Sequence, residues 1–232
     1  MEKKDPDCSS LVENLINLSD LSNNAAIQHG KKNEVAALKA YCEQQSAVHS
    51  GFTAEDTGIF LSKRYPYLGA SPDGLTSCQC CGDCLVEVKC PVVQSSPSHE
   101  NVSFLKKSTG GKSILKEKHP YYGLIQGQMA ICGLHHCDLF VYSEYGSVIQ
   151  RIYYNEGFSK KMFICLVKCF KKHLAEPFYR SHGTNSCSAD RDLDHNVTEP
   201  CFSDIEVKRK IRSFQWQCWY SLETCMDVMV CR

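Results

Sequence analysis

The segment Ser71-Pro72-Asp73-Gly74, followed by Leu85-Val86-Glu87-Val88-Lys89, constrains this chain more than any other. Side chains alternate faces along a strand, so Glu87 and Lys89 point one way while Val86 and Val88 point into the packing. Pro72 and Gly74 bracket Asp73 with turn chemistry, fixing φ before it and relaxing it after. If the two segments pair as neighbouring strands, Asp73, Glu87 and Lys89 converge. Two acidic oxygen ligands beside one fixed cation make a hard-metal site that can bind and polarise a phosphate. That is the chemistry of phosphodiester hydrolysis.

The 232 residues suffice for one medium domain with a core and extensions. Apolar and charged contents of 43% and 22% are those of a soluble globular protein. Formal net charge is zero, so nucleic-acid contact must rest on local patches. The first residues lack an apolar signal core, and no apolar run is long enough to span a bilayer, so an intracellular chain, nuclear or cytoplasmic and not secreted, is expected. Sixteen cysteines in a reducing compartment predict buried free thiols and some zinc ligands rather than disulfides.

Residues 1–27 read as a polar N-terminal extension with a short amphipathic stretch at Leu11, Leu15 and Leu18. A helix is expected over 28–45, with Val35, Leu38 and Cys42 on its buried face and Glu34 beside that stripe. Short strands are expected at 47–52 and 58–63, and a polar, cysteine-rich hairpin tip at 76–84. The strand Leu85–Lys89 ends at Cys90-Pro91. Residues 94–116, rich in Ser, Lys and Gly, read as a mobile loop. Gly110-Gly111-Lys112-Ser113 is not a P-loop, because Lys106 stands where that pattern needs glycine. A helix over 118–133 should place Tyr122, Ile125 and Met129 on one face, with Gly133 as its stop. Strands at 138–142 and 147–154 and a helix from Phe158 to about Tyr179 follow, the helix with Met162, Leu166, Cys169 and Phe170 inward. Residues 181–232 form a cysteine-containing tail that the core pattern does not absorb.

The motifs Gly30-Lys31-Lys32-Asn33-Glu34, Gly69-Ala70-Ser71-Pro72-Asp73-Gly74, Val86-Glu87-Val88-Lys89-Cys90-Pro91, Tyr121-Tyr122 with Gln126-Gly127-Gln128, and Cys137-Asp138-Leu139-Phe140-Val141-Tyr142 occur in that order. This order is closely similar to the YqaJ-type viral recombinases, which belong with phage lambda exonuclease among the PD-(D/E)xK nucleases. The resemblance covers residues 28–180 and implies an α/β, restriction-endonuclease-like core with a mixed β-sheet flanked by α-helices. It implies that Asp73, Glu87 and the Val88 carbonyl ligate magnesium or manganese and that Lys89 orients or activates the attacking water. Glu34 would hold a second metal through water. Gln128, and after it Gln126, would hydrogen-bond near the metal, with Ser71 and Tyr122 among the DNA contacts. The resemblance also implies a single-strand annealing recombinase as partner and a trimeric assembly. Lambda-type members carry an arginine in an N-terminal segment that pockets the 5′ phosphate; residues 1–27 here contain none.

Cys78, Cys80, Cys81 and Cys84 offer zinc-type ligands at the hairpin tip, and Cys132, His135, His136 and Cys137 form a second group. Lys106, Lys107, Lys112, Lys116 and Lys118 cluster where they could neutralise DNA phosphates. The leading expectation is a metal-dependent DNA exonuclease acting in recombination or mobile-element processing. An endonuclease on the same core, or a degenerate binding module, are the alternatives. The intact Asp73, Glu87, Lys89 set argues against the last.

Overall fold

The computed structural model describes residues 24–175 and 205–208. Helix α1 (Ala25–Ser46) starts at Asn24, whose side chain caps the amides of Ala26 and Ile27. Strands β1 (Thr53–Glu55), β4 (Gly74–Cys78), β5 (Gly82–Lys89), β8 (His136–Ser143) and β9 (Gly146–Tyr153) form one sheet in the order β1-β4-β5-β8-β9. The β5–β8 pair is parallel and the other three pairs are antiparallel. A parallel pair needs a crossover, supplied here by helix α2 (Pro120–Cys132). Helix α3 (Glu156–Cys169) continues into a π-helical turn at Phe170–Ala175. A second small sheet joins β2 (Ile59–Ser62) to β3 (Gly69–Ala70) and, on its other edge, to β10 (Ile205–Lys208).

Both faces of the main sheet are covered. Val86, Val88 and Phe140 pack against Ala37 and Tyr41 of α1. Leu85, Leu139 and Val141 face Ile125, Met129 and Cys132 of α2 on the opposite side. Met162, Phe163 and Val167 of α3 then cover Ala130 on the outer side of α2. The central strands are therefore buried on both faces, which explains why 85–88 and 139–141 are almost unbroken apolar runs. Glu87 interrupts one of them.

Val35 does not share the buried face of α1; it is 77% exposed. The stripe that meets the sheet runs through Ala37, Leu38, Tyr41 and Gln45, at helical spacing. Extended one turn toward the N-terminus, it passes through Glu34, so Val35 is rotated away. Residues 47–52 are turn rather than strand, and the strand follows at 53–55. The hairpin strands run on to Cys78 and from Gly82, which narrows the tip to 79–81. Residues 94–116 are not a loop without structure. They form a hairpin, β6 (Leu105–Lys107) with β7 (Ser113–Leu115). Val102, Phe104, Leu105 and Leu115 of this segment are buried in the α2-side core, and the Leu115 amide donates to Gln150 Oε1 at 2.6 Å. Four apolar residues spread among polar ones are too sparse for a periodicity signal, yet they suffice to anchor the segment. The expected helix at 158–179 starts two residues earlier; its last residues, the stretch around Leu11, and most of the 181–232 tail lie outside the described residues. No helix among the described residues is long and apolar enough to cross a membrane.

Candidate active site

Strands β4 and β5 pair with Gly74 opposite Val86. The register ends there, and the chain preceding β4 folds Asp73 back over the end of β5. The Asp73 amide donates to the Val86 carbonyl at 3.0 Å, and the Val88 amide donates to Asp73 Oδ2 at 2.7 Å. Asp73 thereby continues the ladder with its side chain. Thr57 Oγ1 donates to the Pro72 carbonyl at 2.6 Å and holds the turn from outside.

Glu87 is 1% exposed and lies on the α2 face. An apolar environment would penalise its charge heavily without partners. It has two: Lys89 Nζ donates to Oε1 at 2.5 Å, and Gln128 Nε2 donates to Oε2 at 2.9 Å. The Lys89 side chain retains 20% exposure, and its ammonium lies 4.7 Å from the centre of the Tyr121 ring. Tyr121 in turn meets Phe104 edge-on at 5.1 Å. Glu34 reaches the same place from α1 and interacts electrostatically with Glu87, Lys89 and Asp56.

Burial, and then the Glu87 carboxylate, push Asp73 well above the usual carboxylate range; Lys89 and the Val88 amide only partly oppose this. Burial followed by Glu87 also raises Glu34. Burial disfavours the Lys89 charge, but Glu87 and Asp73 outweigh it and hold the ammonium above the ordinary lysine range. Among the described residues Lys89 thus faces Asp73, Glu87 and Glu34, while Asp56 adds negative charge and Lys31 positive charge at Glu34, so acids outnumber lysines in this site. Such a surplus of negative charge is relieved by protons or by further cations. Gln128 Oε1, buried beside Glu87, has no hydrogen-bond partner among the described residues. A buried acceptor with nothing to accept from fits a site that takes water or an ion.

The expected residues do not all arrive here. Gln126 is fully buried, but its Nε2 donates to the Tyr153 carbonyl at 2.9 Å and its Oε1 accepts from the Asn155 amide at 2.7 Å. It ties α2 to the β9–α3 junction. Residues two apart on a helix face different ways, so Gln128 alone turns to Glu87. Tyr122 packs edge-on against Phe158 at 5.1 Å, and its neighbour Tyr121 is the aromatic at the lysine. Nothing in the local sequence singles out Tyr121; only the register of α2 distinguishes the two. Ser71 is half-buried in the turn before Asp73, with Oγ 3.5 Å from the Gly58 carbonyl. Lys106, Lys107 and Lys112 are exposed on the β6–β7 hairpin, whose base at Phe104 adjoins Tyr121.

The zinc-type set also differs. Cys84 is buried with its thiol donating to the Leu85 carbonyl at 3.2 Å, because it follows Gly82 into the paired part of β5. Cys78, Cys80 and Cys81 lie together with His49 instead. Cys132 and Cys137 are buried in the apolar core and do not join His135 and His136 in a ligand group among the described residues.

A mixed sheet between helices, with a buried acid, a half-buried acid and a lysine at the open end of an antiparallel pair, defines a restriction-endonuclease-like α/β fold. The chain belongs to the YqaJ-like viral recombinase domain family, whose model matches residues 2–135, over half its length. Among solved structures it resembles an alkaline exonuclease (LHK-Exo) from Laribacter hongkongensis, at 24% identity and a TM-score of 0.56, over 78% of this chain and 86% of that one. A structure of LHK-Exo in complex with dAMP matches at 22% identity and a TM-score of 0.53, over 75% of this chain and 91% of that one. Comparison with curated proteins finds no match.

Proposed function

We propose that this chain is a divalent-metal-dependent DNA exonuclease that hydrolyses phosphodiester bonds at duplex ends during recombination or mobile-element processing. The observation that carries this reading is the convergence of Asp73, Glu87, Lys89 and Gln128 at the end of β4 and β5. Membership of the recombinase family and the fold shared with an alkaline exonuclease point the same way. The dAMP bound by that neighbour agrees with a nucleotide-sized product.

Asp73, Glu87 and the Val88 carbonyl would hold magnesium or manganese, with Glu34 completing a second position through water. These are hard oxygen donors, which suit both ions. When bound, divalent ions supply polarisation of the scissile phosphate and stabilisation of the leaving oxygen. The chain's own groups do the rest. The Val88 amide fixes the Asp73 carboxylate and Gln128 fixes that of Glu87, so neither acid must reorganise when the substrate arrives. Lys89, paired with Glu87 and lying over Tyr121, keeps an ammonium at a set position where it orients the attacking water and meets developing charge. The exposed Lys106, Lys107 and Lys112 supply sequence-independent phosphate contacts. A nuclease domain spanning residues 28–180, a single-strand annealing recombinase as partner and a trimeric assembly complete the proposal.

The test is incubation with linear and circular duplexes, with magnesium or with EDTA. Digestion of linear DNA alone, dependent on magnesium, is the expected result. Loss of covalently closed circles would replace this reading with an endonuclease on the same core. Binding without cleavage of either form would leave a degenerate module.

A further inference from the structure

We propose that His49, Cys78, Cys80 and Cys81 bind one structural zinc ion that clamps the end of α1 to the tip of the β4–β5 hairpin. The ligand atoms of these four side chains all lie within 4.8 Å of one another. His49 Nδ1 is 3.0 Å from Cys80 Sγ, 3.6 Å from Cys78 Sγ and 3.7 Å from Cys81 Sγ. The Cys80 sulfur is 3.4 Å from that of Cys78 and 3.8 Å from that of Cys81. A tetrahedron built on ordinary zinc–sulfur and zinc–nitrogen bonds has edges of about 3.8 Å between sulfurs and about 3.6 Å from sulfur to nitrogen. The sulfur–nitrogen separations bracket the second value, and the longer sulfur–sulfur separation, 3.8 Å, matches the first. They are far too long for disulfides, which hold sulfurs about 2.05 Å apart, and all three cysteines are free thiols.

Three thiols and an imidazole are a soft donor set, unlike the oxygen donors at the nuclease site, and select zinc over magnesium. Four protein ligands leave no open position, which marks a structural rather than a catalytic ion. Polar groups surround the sulfurs. The amides of Cys80 and Cys81 donate to the Cys78 sulfur, and the Arg151 guanidinium reaches that of Cys81 while Asp138 holds it from the other side. Three thiolates around a divalent cation carry one net negative charge, and the Arg151 guanidinium, paired with Asp138, lies beside it.

The backbone already brings the two loops together. The Gln79 amide donates to the Ser50 carbonyl at 3.0 Å, and Ser50 Oγ donates to Gln79 Oε1 at 3.2 Å. Gly51, at φ 63, passes so close that an added Cβ would lie 3.0 Å from the Gln79 side chain. Gly82, at φ 72, turns the chain back into β5 immediately after Cys81. The clamp has a mechanical consequence. Glu34 stands near the middle of α1, about three turns before its C-terminus, and Asp73, Glu87 and Lys89 stand at the other end of the hairpin. Fixing the end of α1 to the hairpin tip constrains the angle at which Glu34, on the same rigid helix, meets the acids.

The experiment is metal analysis of the full chain, purified without chelator and after equilibration with zinc, alongside His49→Ala, Cys80→Ser and Cys84→Ala. One zinc per wild-type chain is expected, lost in His49→Ala and Cys80→Ser and retained in Cys84→Ala. Cobalt titration of the wild-type chain should give thiolate-to-metal charge-transfer absorption displaced by one equivalent of zinc. A strong chelator should lower the wild-type Tm, with recovery on zinc but not on magnesium. These wild-type measurements hold even if a ligand variant fails to fold. Absence of zinc from the wild-type chain, or retention in His49→Ala with loss in Cys84→Ala, overturns the proposal. None of these readouts uses DNA cleavage, so the outcome is independent of the proposed nuclease activity.

Discussion

Substitution of Lys89 by alanine tests the electrostatic account of the acidic site most directly. In the wild-type chain one ammonium stands 2.5 Å from a carboxylate that is 1% exposed. Removing one partner of a buried pair costs about 3–5 kcal/mol. Lys89 keeps partial exposure, and water can enter the space it leaves, so the lower end, about 3 kcal/mol, is expected. The loss should depend on pH. Asp73 already binds its proton more tightly folded than unfolded, through burial and then Glu87, with Lys89 opposing. Without Lys89 that folded pKa moves further up. A raised carboxylate pKa leaves stability intact below the unfolded value of about 3.9 and erodes it as pH rises toward the folded value. The deficit of the variant should therefore be small near pH 4 and largest at neutral pH and above. Magnesium should recover part of it, because a bound cation replaces the missing charge. Cleavage should fall by about 100- to 10,000-fold, the usual worth of a positioned proton-transfer or water-orienting group, while DNA binding persists. Denaturant unfolding from pH 4 to pH 8, with and without magnesium, and single-turnover digestion of a linear duplex measure both. A deficit that does not change with pH, or cleavage within tenfold of wild type, would refute the reasoning.

Gln128→Leu removes a charge-assisted hydrogen bond worth about 1.5–3 kcal/mol; single-turnover cleavage should fall by about 10- to 100-fold. Gln126→Leu, two residues away, should lower the Tm without slowing the folded fraction, because its side chain fastens Tyr153 and Asn155. Replacing Lys106 and Lys107 by glutamine should weaken DNA binding equally across sequences and reduce the slope of log K against log salt by about 0.9 for each phosphate no longer neutralised, with maximal cleavage rate unchanged. Asp138 accepts from Tyr41 at 2.8 Å and from Arg151 at 2.8 and 3.0 Å in the sheet interior. Asp138→Ala should cost about 3–5 kcal/mol of unfolding free energy, whereas Tyr41→Phe should cost about 1–3 kcal/mol, since Arg151 still pairs with the carboxylate; denaturant titration of each variant measures the difference.

Legibility varied with the range of the interaction that fixed each element. Helix α2 was readable because its start, apolar spacing and Gly133 stop are local; Gly133 indeed closes it at φ 68. The β6–β7 hairpin was not, because its strands are three residues each and owe their order to Phe104 and Leu115 meeting a distant core. Val35 misled because hydrophobicity alone set the stripe, whereas the sheet selects Ala37 and Tyr41 and carries Glu34 on the same line. That carboxylate on a buried stripe was the available signal for a site.

By itself the amino-acid order determined the local geometry of the two short motifs, while their pairing as neighbouring strands came from the fold. The turn chemistry around Asp73 and the period of two that aligns Glu87 with Lys89 are properties of the local backbone. Folding decided what lay across long separations: which glutamine reaches Glu87, which tyrosine carries the lysine, and that His49 rather than Cys84 joins three cysteines. A strand or helix fixes directions only relative to its own axis. The rotation and register of one element against another are set by packing, and those partner choices depend on them.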